Sequence, residues 1–328
     1  GSEYDRVLCL KEDRKVSRTM SQKFKVCYEL STAKYIFLDD FSRFISLIRV
    51  RDGQEIVQLW HGAGAYKKFG YSRQDKENTY KASGHRNYTK ACVTGEGVRW
   101  CFAEGFGMSI DGVGAVGMPR TDLLFDEEYI EKTRAAIYED MPYLKEKKIV
   151  LFAPTYRGVS LGLSYYDFDQ LDVDKIYNEL HDKGYVFIFK WHPGHYFVMK
   201  KEGIVPYDFS KYEDFYYDFS DSRDINELLL VTDVLVTDYS SVIFDYAILK
   251  KPIVYFAYDY EEYTKDRGLY FDFDEYVYGR VAKNTGELVA AIEAHDMCED
   301  RRGAFYEKFM GACDGSSTKK ICEWVFGK

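Results

Sequence analysis

Residues 234–256 admit few folds. Val234-Leu235-Val236 is an apolar run between polar residues, as expected of a strand buried on both faces. A short hydroxyl-rich turn follows, Thr237-Asp238-Tyr239-Ser240-Ser241. Val242-Ile243-Phe244-Asp245-Tyr246-Ala247-Ile248-Leu249 then reads as a helix, and Pro252-Ile253-Val254-Tyr255-Phe256 as a second strand. Strand, turn, helix and strand make one βαβ unit, which commits the chain to a parallel sheet covered by helices. The turn brings two hydroxyls and free backbone N–H groups to a helix N-terminus. Orphan donors and the helix dipole both favour an anion there. Asp238, Ser240 and Ser241 are therefore expected to form the diphosphate seat of a nucleotide-linked donor. The alternative is a simple N-cap at Ser240 or Ser241.

The same grammar runs through both halves. Arg6-Val7-Leu8-Cys9-Leu10, Tyr35-Ile36-Phe37-Leu38 and Ile56-Val57-Gln58-Leu59-Trp60 read as short buried strands, with weaker strand signals at 91–94 and 113–116. In the second half, Lys148-Ile149-Val150-Leu151-Phe152-Ala153 and Tyr185-Val186-Phe187-Ile188-Phe189 are strands. Val173, Ile176, Tyr177 and Leu180 fall at i, i+3, i+4 and i+7, an amphipathic helix that ends near Gly184. Further helices are expected from Asp224 to Thr232, from the capping sequence Asn284-Thr285-Gly286-Glu287, and from Ser316 to Phe326. Strands alternating with helices predict an α/β, GT-B-like architecture of two doubly wound, Rossmann-like domains facing a central cleft. Met141-Pro142 and the charges up to Lys148 mark a linker. The expected domains are 1–143 and 144–310, with a C-terminal helix in 311–328 that packs back on the first domain.

Charge narrows the partners. Across 328 residues, 45 basic side chains face 54 acidic ones, a net charge of −9. A nucleic-acid partner calls for a basic surface, so that class is excluded. An anionic substrate must be met by a local basic cleft. The 30 Tyr and 23 Phe supply amphipathic surface suited to sugar or nucleotide clefts. The seven cysteines are scattered without a C-x-x-C pair, which reads as reduced thiols of a cytoplasmic protein. No apolar run approaches the roughly 18 residues needed to span a bilayer, and no signal peptide is visible. Gly1-Ser2 reads as a cloning remnant.

Chemistry-bearing residues gather at expected strand ends. His61-Gly62-Ala63-Gly64 follows the strand ending at Trp60, with Lys67 and Lys68 close behind. A histidine there is suited to take a proton from an attacking hydroxyl. Lys190-Trp191-His192-Pro193-Gly194-His195 follows the strand at 185–189, where His192 could stabilise charge on a phosphoryl group. His192 and His195 could instead suggest a metal, but no third ligand lies nearby in sequence. Arg120, Arg157 and Arg267 each stand beside a strand end and could clamp phosphate oxygens. Surface salt bridges are the plainer reading of any one of them. The acidic runs Asp39-Asp40, Asp167-Phe168-Asp169 and Asp272-Phe273-Asp274 read as solvated loops rather than metal sites.

Taken in order, these segments resemble a known family. The series is His61-Gly62 with Lys67 and Gly70, then Gly117-x-Pro119-Arg120-x-Asp122 and Ala153-Pro154-Thr155-Tyr156-Arg157. His192-Pro193, Asp233 through Thr237-Asp238-Tyr239-Ser240-Ser241 to Phe244-Asp245, Arg267-Gly268-x-Tyr270 and Asp314-Gly315 complete it. Together they are similar to the CDP-glycerol glycerophosphotransferases, the teichoic-acid and capsule polyol-phosphate transferases, over about residues 55–325. The resemblance implies transfer of glycerol phosphate from CDP-glycerol to a hydroxyl of a lipid-linked or polymeric acceptor, releasing CMP, with CDP-ribitol as the rival donor. It implies His61 and His192 as the catalytic pair. It implies the Ser240-Ser241 turn and Arg267 as donor-phosphate contacts; Asp238 in that turn and Arg157 at its strand end are expected to join them, and Asp224 and Glu227 are expected at the nucleoside from their place before the phosphate strand. Lys67 and Arg120 would face the acceptor. The first domain would be the acceptor side and the second the CDP-donor side. No metal or cofactor is implied, and the acceptor class suggests the cytoplasmic face of a membrane. A nucleotide-sugar glycosyltransferase or epimerase, or a non-catalytic nucleotide-binding module, stays open on the same architecture. Ala63-Gly64, Met118 and Tyr278-Gly279-Arg280 depart from the family pattern, which bears on the donor polyol and the acceptor more than on the reaction.

Overall fold

The computed structural model describes residues 4–10, 17–73, 83–158, 161–212 and 214–327. Two parallel sheets organise it. The first is formed by β1 (Tyr35–Leu38), β2 (Glu55–Gln58), β3 (Lys90–Cys92) and β4 (Val113–Gly114), side by side in chain order. The second contains β5 (Lys148–Phe152), β6 (Tyr185–Phe189), β7 (Tyr216–Asp218), β8 (Val234–Thr237), β9 (Ile253–Phe256) and β10 (Arg280–Ala282), in the order β7-β6-β5-β8-β9-β10. Counted from its own first strand this is 3-2-1-4-5-6, the Rossmann order. Its direction reverses between β5 and β8, and ligands in such sheets bind beyond the strand ends at that reversal.

Burial explains which apolar runs became strands. In β6 and β8 every residue is buried, so the sequence shows continuous apolar runs. Arg6–Leu10 looked similar but is extended, exposed chain: Leu8 is 79% exposed, and no ladder pairs it. The expected strand over 56–60 stops at Gln58, because Trp60 turns into positive φ. Helix α1 (Met20–Thr32) precedes β1 and had no clear sequence signal. The remaining main helices are α2 (Arg99–Phe106), α3 (Glu127–Asp140), α4 (Val173–Leu180), α5 (Pro193–Glu202), α6 (Ile225–Val231), α7 (Val242–Leu249), α8 (Tyr260–Arg267), α9 (Phe273–Tyr276), α10 (Thr285–Ala294), α11 (Glu299–Met310) and α12 (Ser317–Phe326).

The two sheets share one continuous apolar cluster. Phe244 of α7 packs on Phe305 and Phe309 of α11, and Tyr276 stacks on Tyr66 at 4.1 Å. Helix α12 returns to the first sheet, where Ile321 and Val325 cover Val57 and Cys92. The return is stitched by the segment that leaves β4. Asp122 accepts the N–H groups of Ser317 and Thr318, each at 2.8 Å, at the start of α12. Gly117 has φ +85°, and a Cβ there would sit 2.2 Å from Ser317 Oγ, so only glycine fits. No helix among the described residues is long and apolar enough to cross a membrane.

Candidate functional site

The cleft side of the second sheet is built from the loops after β5, β6 and β8. The Ser240-Ser241 turn opens α7. Ser241 occupies the N-cap position but its hydroxyl caps nothing, and Ser240 Oγ makes only a 3.4 Å contact with the Val242 N–H. Of the two hydroxyls, Ser240's makes one long bond to the helix start and Ser241's makes no capping bond. Across the cleft, a Cβ on Gly62 would lie 4.0 Å from Ser241 Oγ, so the His61 loop faces this turn directly. Gly64, at φ +62°, lies so close to Phe244 that a Cβ would approach its ring to 2.4 Å. Glycine at 64 is what lets the loop settle on α7.

His61 is open to solvent, its side chain 57% exposed, and its Nδ1 pairs with Asp40 Oδ1 at 2.9 Å. His192 caps α5: its Nδ1 accepts the Gly194 N–H at 3.1 Å, and its ring lies 5.1 Å from that of Tyr156. His192 leaves β6, one strand from β5 and two from β8, so it stands about 10 Å along the sheet edge from the serine turn. His195 is buried, with Nδ1 3.0 Å from Ser164 Oγ, and burial lowers its pKa. No group of three or more His, Cys, Asp or Glu side chains among the described residues could share a metal ion.

Several expected ligand contacts have other partners. Asp238 is buried: its Oδ1 accepts the N–H groups of Thr155 and Tyr239 at 2.8 and 2.6 Å, and its Oδ2 pairs with Arg157 at 2.8 Å. Arg157 also pairs with Asp259 at 2.8 Å and lies 5.1–5.3 Å from the rings of Tyr166, Tyr239, Tyr258 and Tyr263. Burial acts to lower the Arg157 pKa, but the two carboxylates and Tyr258 outweigh it and raise it. Both side chains are buried, Arg157 at 5% and Asp238 at 1% exposed. Their partners hold the backbone of the 155 and 238–239 segments together.

Arg120 likewise does not present a free guanidinium to an acceptor. It pairs with the buried Asp245 of α7 at 2.9 Å and with Asn226 of α6 at 3.3 Å, tying the first domain to the second. Burial raises the Asp245 pKa, against the opposing pull of Arg120. Lys67 lies over the Tyr263 ring at 5.4 Å, on the braced side of the cleft, and its backbone bridges to Leu269. Asp224 caps α6 by accepting the Asn226 N–H at 2.8 Å, and Glu227 pairs with Arg223 at 3.1 Å. Arg267 ends α8, and its side chain lies outside the described residues.

Sequence reasoning missed Asp40, taken as part of a solvated loop, and Gln58, taken as one more strand residue. Lys190 was also read only as a neighbour of His192. Its ammonium is buried and donates to the carbonyls of Phe219, Ser222 and Arg223 at 2.7–2.8 Å, shaping the loop after β7. Burial lowers its pKa.

Two Rossmann-like domains, with a histidine on one facing a hydroxyl-rich helix start on the other, define a GT-B-like transferase architecture. The solved wall teichoic acid polymerase TagF superposes with a TM-score of 0.72 at 26% identity, over 91% of this chain and 73% of that one. The family model described as CDP-Glycerol:Poly(glycerophosphate) glycerophosphotransferase matches residues 5–327, and the chain belongs to that family. A teichoic acid poly(ribitol-phosphate) polymerase of Bacillus spizizenii is 40% identical over 98% of this chain, which spans about half (51%) of that relative's length. A teichoic acid poly(glycerol phosphate) polymerase of the same organism is 37% identical over 64% of this chain and 52% of its own length.

Proposed function

We propose that the protein transfers a polyol phosphate from a CDP-linked donor to a hydroxyl of a teichoic-acid-like acceptor, with CDP-ribitol the favoured donor over CDP-glycerol. The observation that supports the reading is the approach of the His61 loop to Ser241, whose hydroxyl makes no capping bond at the start of α7. Membership of the family supports the reaction class. The ribitol preference is supported by the longer and closer match to the ribitol-phosphate polymerase than to the glycerol-phosphate polymerase.

In this mechanism His61 takes the proton of the acceptor hydroxyl as its oxygen attacks the donor's β-phosphorus. The bond from that phosphorus to the bridging oxygen breaks, and CMP leaves. The Ser240-Ser241 turn and His192 hold the diphosphate and stabilise the charge that develops on it. Alignment and electrostatics supply most of the acceleration, as in phosphoryl transfer generally. Arg267 is a further donor contact and Asp224 and Glu227 reach the nucleoside in this reading. Acceptors of this class also make a peripheral position at the cytoplasmic membrane face part of the proposal.

The test is CMP release from CDP-ribitol and, in parallel, CDP-glycerol, each with a short polyol-phosphate primer and no added metal. Primer-dependent release faster from CDP-ribitol is the expected result. Release from CDP-glycerol alone overturns the donor preference. Turnover of UDP- or GDP-sugars instead of either CDP-polyol overturns the reaction.

A further inference from the structure

His61 is presented by a strained piece of backbone. Trp60, the residue before it, has φ +63°, a conformation a bulky side chain keeps only if its surroundings over-determine it. Its ring is wedged among Phe69 at 5.4 Å, Phe106 at 5.2 Å and His85 at 5.8 Å, and lies 4.3 Å from the His61 ring. Among the described residues, its N–H is held by one side chain. Gln58, fully buried at the end of β2, accepts the Trp60 N–H on Oε1 at 2.9 Å. The same amide donates from Nε2 to the Asp40 carbonyl at 3.3 Å.

These contacts close a ring. Gln58 holds Trp60, Trp60 presents His61, His61 Nδ1 meets the Asp40 carboxylate at 2.9 Å, and the Asp40 backbone returns to Gln58. The register of the sheet makes this achievable: Leu38 lies opposite Gln58, so the loops leaving β1 and β2 run side by side. We infer that Asp40 and Gln58 are positioning residues for His61, the carboxylate fixing the imidazole and the buried amide fixing both loops. The inference rests on His61 being the base in the reading above.

The pairing also has a chemical consequence. With Asp40 at Nδ1, the ring proton resides there and Nε2 keeps its lone pair for the acceptor hydroxyl. As the acceptor proton arrives on Nε2, the carboxylate lies against the imidazolium that forms. No proton needs to pass to Asp40.

The experiment compares His61→Ala, Asp40→Ala and Gln58→Leu for primer-dependent CMP release. Asp40→Ala and Gln58→Leu are expected to lower kcat about 10–100-fold, on the scale of a misaligned base, with donor KM within about 3-fold of the parent. Added formate, a small carboxylate that can enter beside the exposed Asp40 position, is expected to restore part of the Asp40→Ala rate but none of the His61→Ala rate. A purely structural role for Asp40 would give no such rescue. If His61→Ala abolishes turnover while both other variants stay within about 3-fold of the parent, the base stands and the positioning inference is overturned. If His61→Ala itself turns over normally, the base assignment fails first. Should Gln58→Leu not fold, the half-exposed Asp40, with its formate rescue, carries the test alone.

Discussion

The cleft contains two pairs of a nitrogen side chain with a carboxylate, and they are of opposite character. On one wall His61 and Asp40 meet with side chains 57% and 50% exposed. On the other, Arg157 and Asp238 meet at 5% and 1% exposed, ringed by tyrosines. The exposed pair is open to solvent along the cleft. The buried pair is saturated by its own neighbours and fixes the backbone leading into the Ser240-Ser241 turn. Charge at a strand end thus has two uses, and burial separates them.

Breaking the buried pair should have the largest effect. Arg157→Ala leaves Asp238 and Asp259 without their cation, and a buried charge stripped of its partner costs about 3–5 kcal/mol. Denaturant unfolding should register that loss, and a variant of parental stability would show that the tyrosine-ringed network is not a brace. Breaking the open pair should act on rate alone. His61→Ala is expected to lower CMP release ~100-fold or more while the melting temperature barely moves. A large drop in melting temperature with intact turnover would reverse the two roles.

A pH titration sharpens the contrast on the open wall. His85, packed beside Trp60, has its pKa lowered by burial to about 4, whereas an unfolded histidine titrates near 6.5. Between those values the unfolded chain binds more protons than the folded one, so stability falls as pH drops through that window. The slope from this residue is at most about 1.4 kcal/mol per pH unit. Melting curves at pH 7 and pH 5 should differ less for His85→Phe than for the parent, and equal differences would remove His85 as the cause. The smallest effect belongs to the seam between the walls. Tyr276→Phe loses the hydroxyl bond to the Ala65 carbonyl at 2.7 Å and should cost about 1 kcal/mol in denaturant unfolding, with KM unchanged.

Four strands of the second domain, β5, β6, β8 and β9, were legible because they are buried and announce themselves as apolar runs, whereas the edge strands β7 and β10, partly exposed and polar, were not. Nor was the start of the chain. Arg6–Leu10 has a strand's composition without a sheet to join, and α1 carries Met20, Phe24 and Tyr28 on a face open to solvent, so its pattern pointed to no core. The His61 and serine-turn segments could be found locally, since each follows its strand directly. The pairing of Arg157 with Asp238 could not, because 81 residues separate them and sequence displays a cation without its partner. The positive φ of Trp60 was invisible for a related reason: only the packed rings and Gln58 hold it there.

The stitch between Asp122 and the start of α12 has a mechanical meaning. The chain passes between the domains twice, once after β4 and once before α12, and the two passages are fastened side by side. Separate tethers at opposite edges would lock two bodies together, and a lone tether would let them swivel. A doubled strap does neither: it bends along its width and resists twisting. The His61 loop and Ser241 thus stand on two bodies fastened at this doubled passage as well as through their common core.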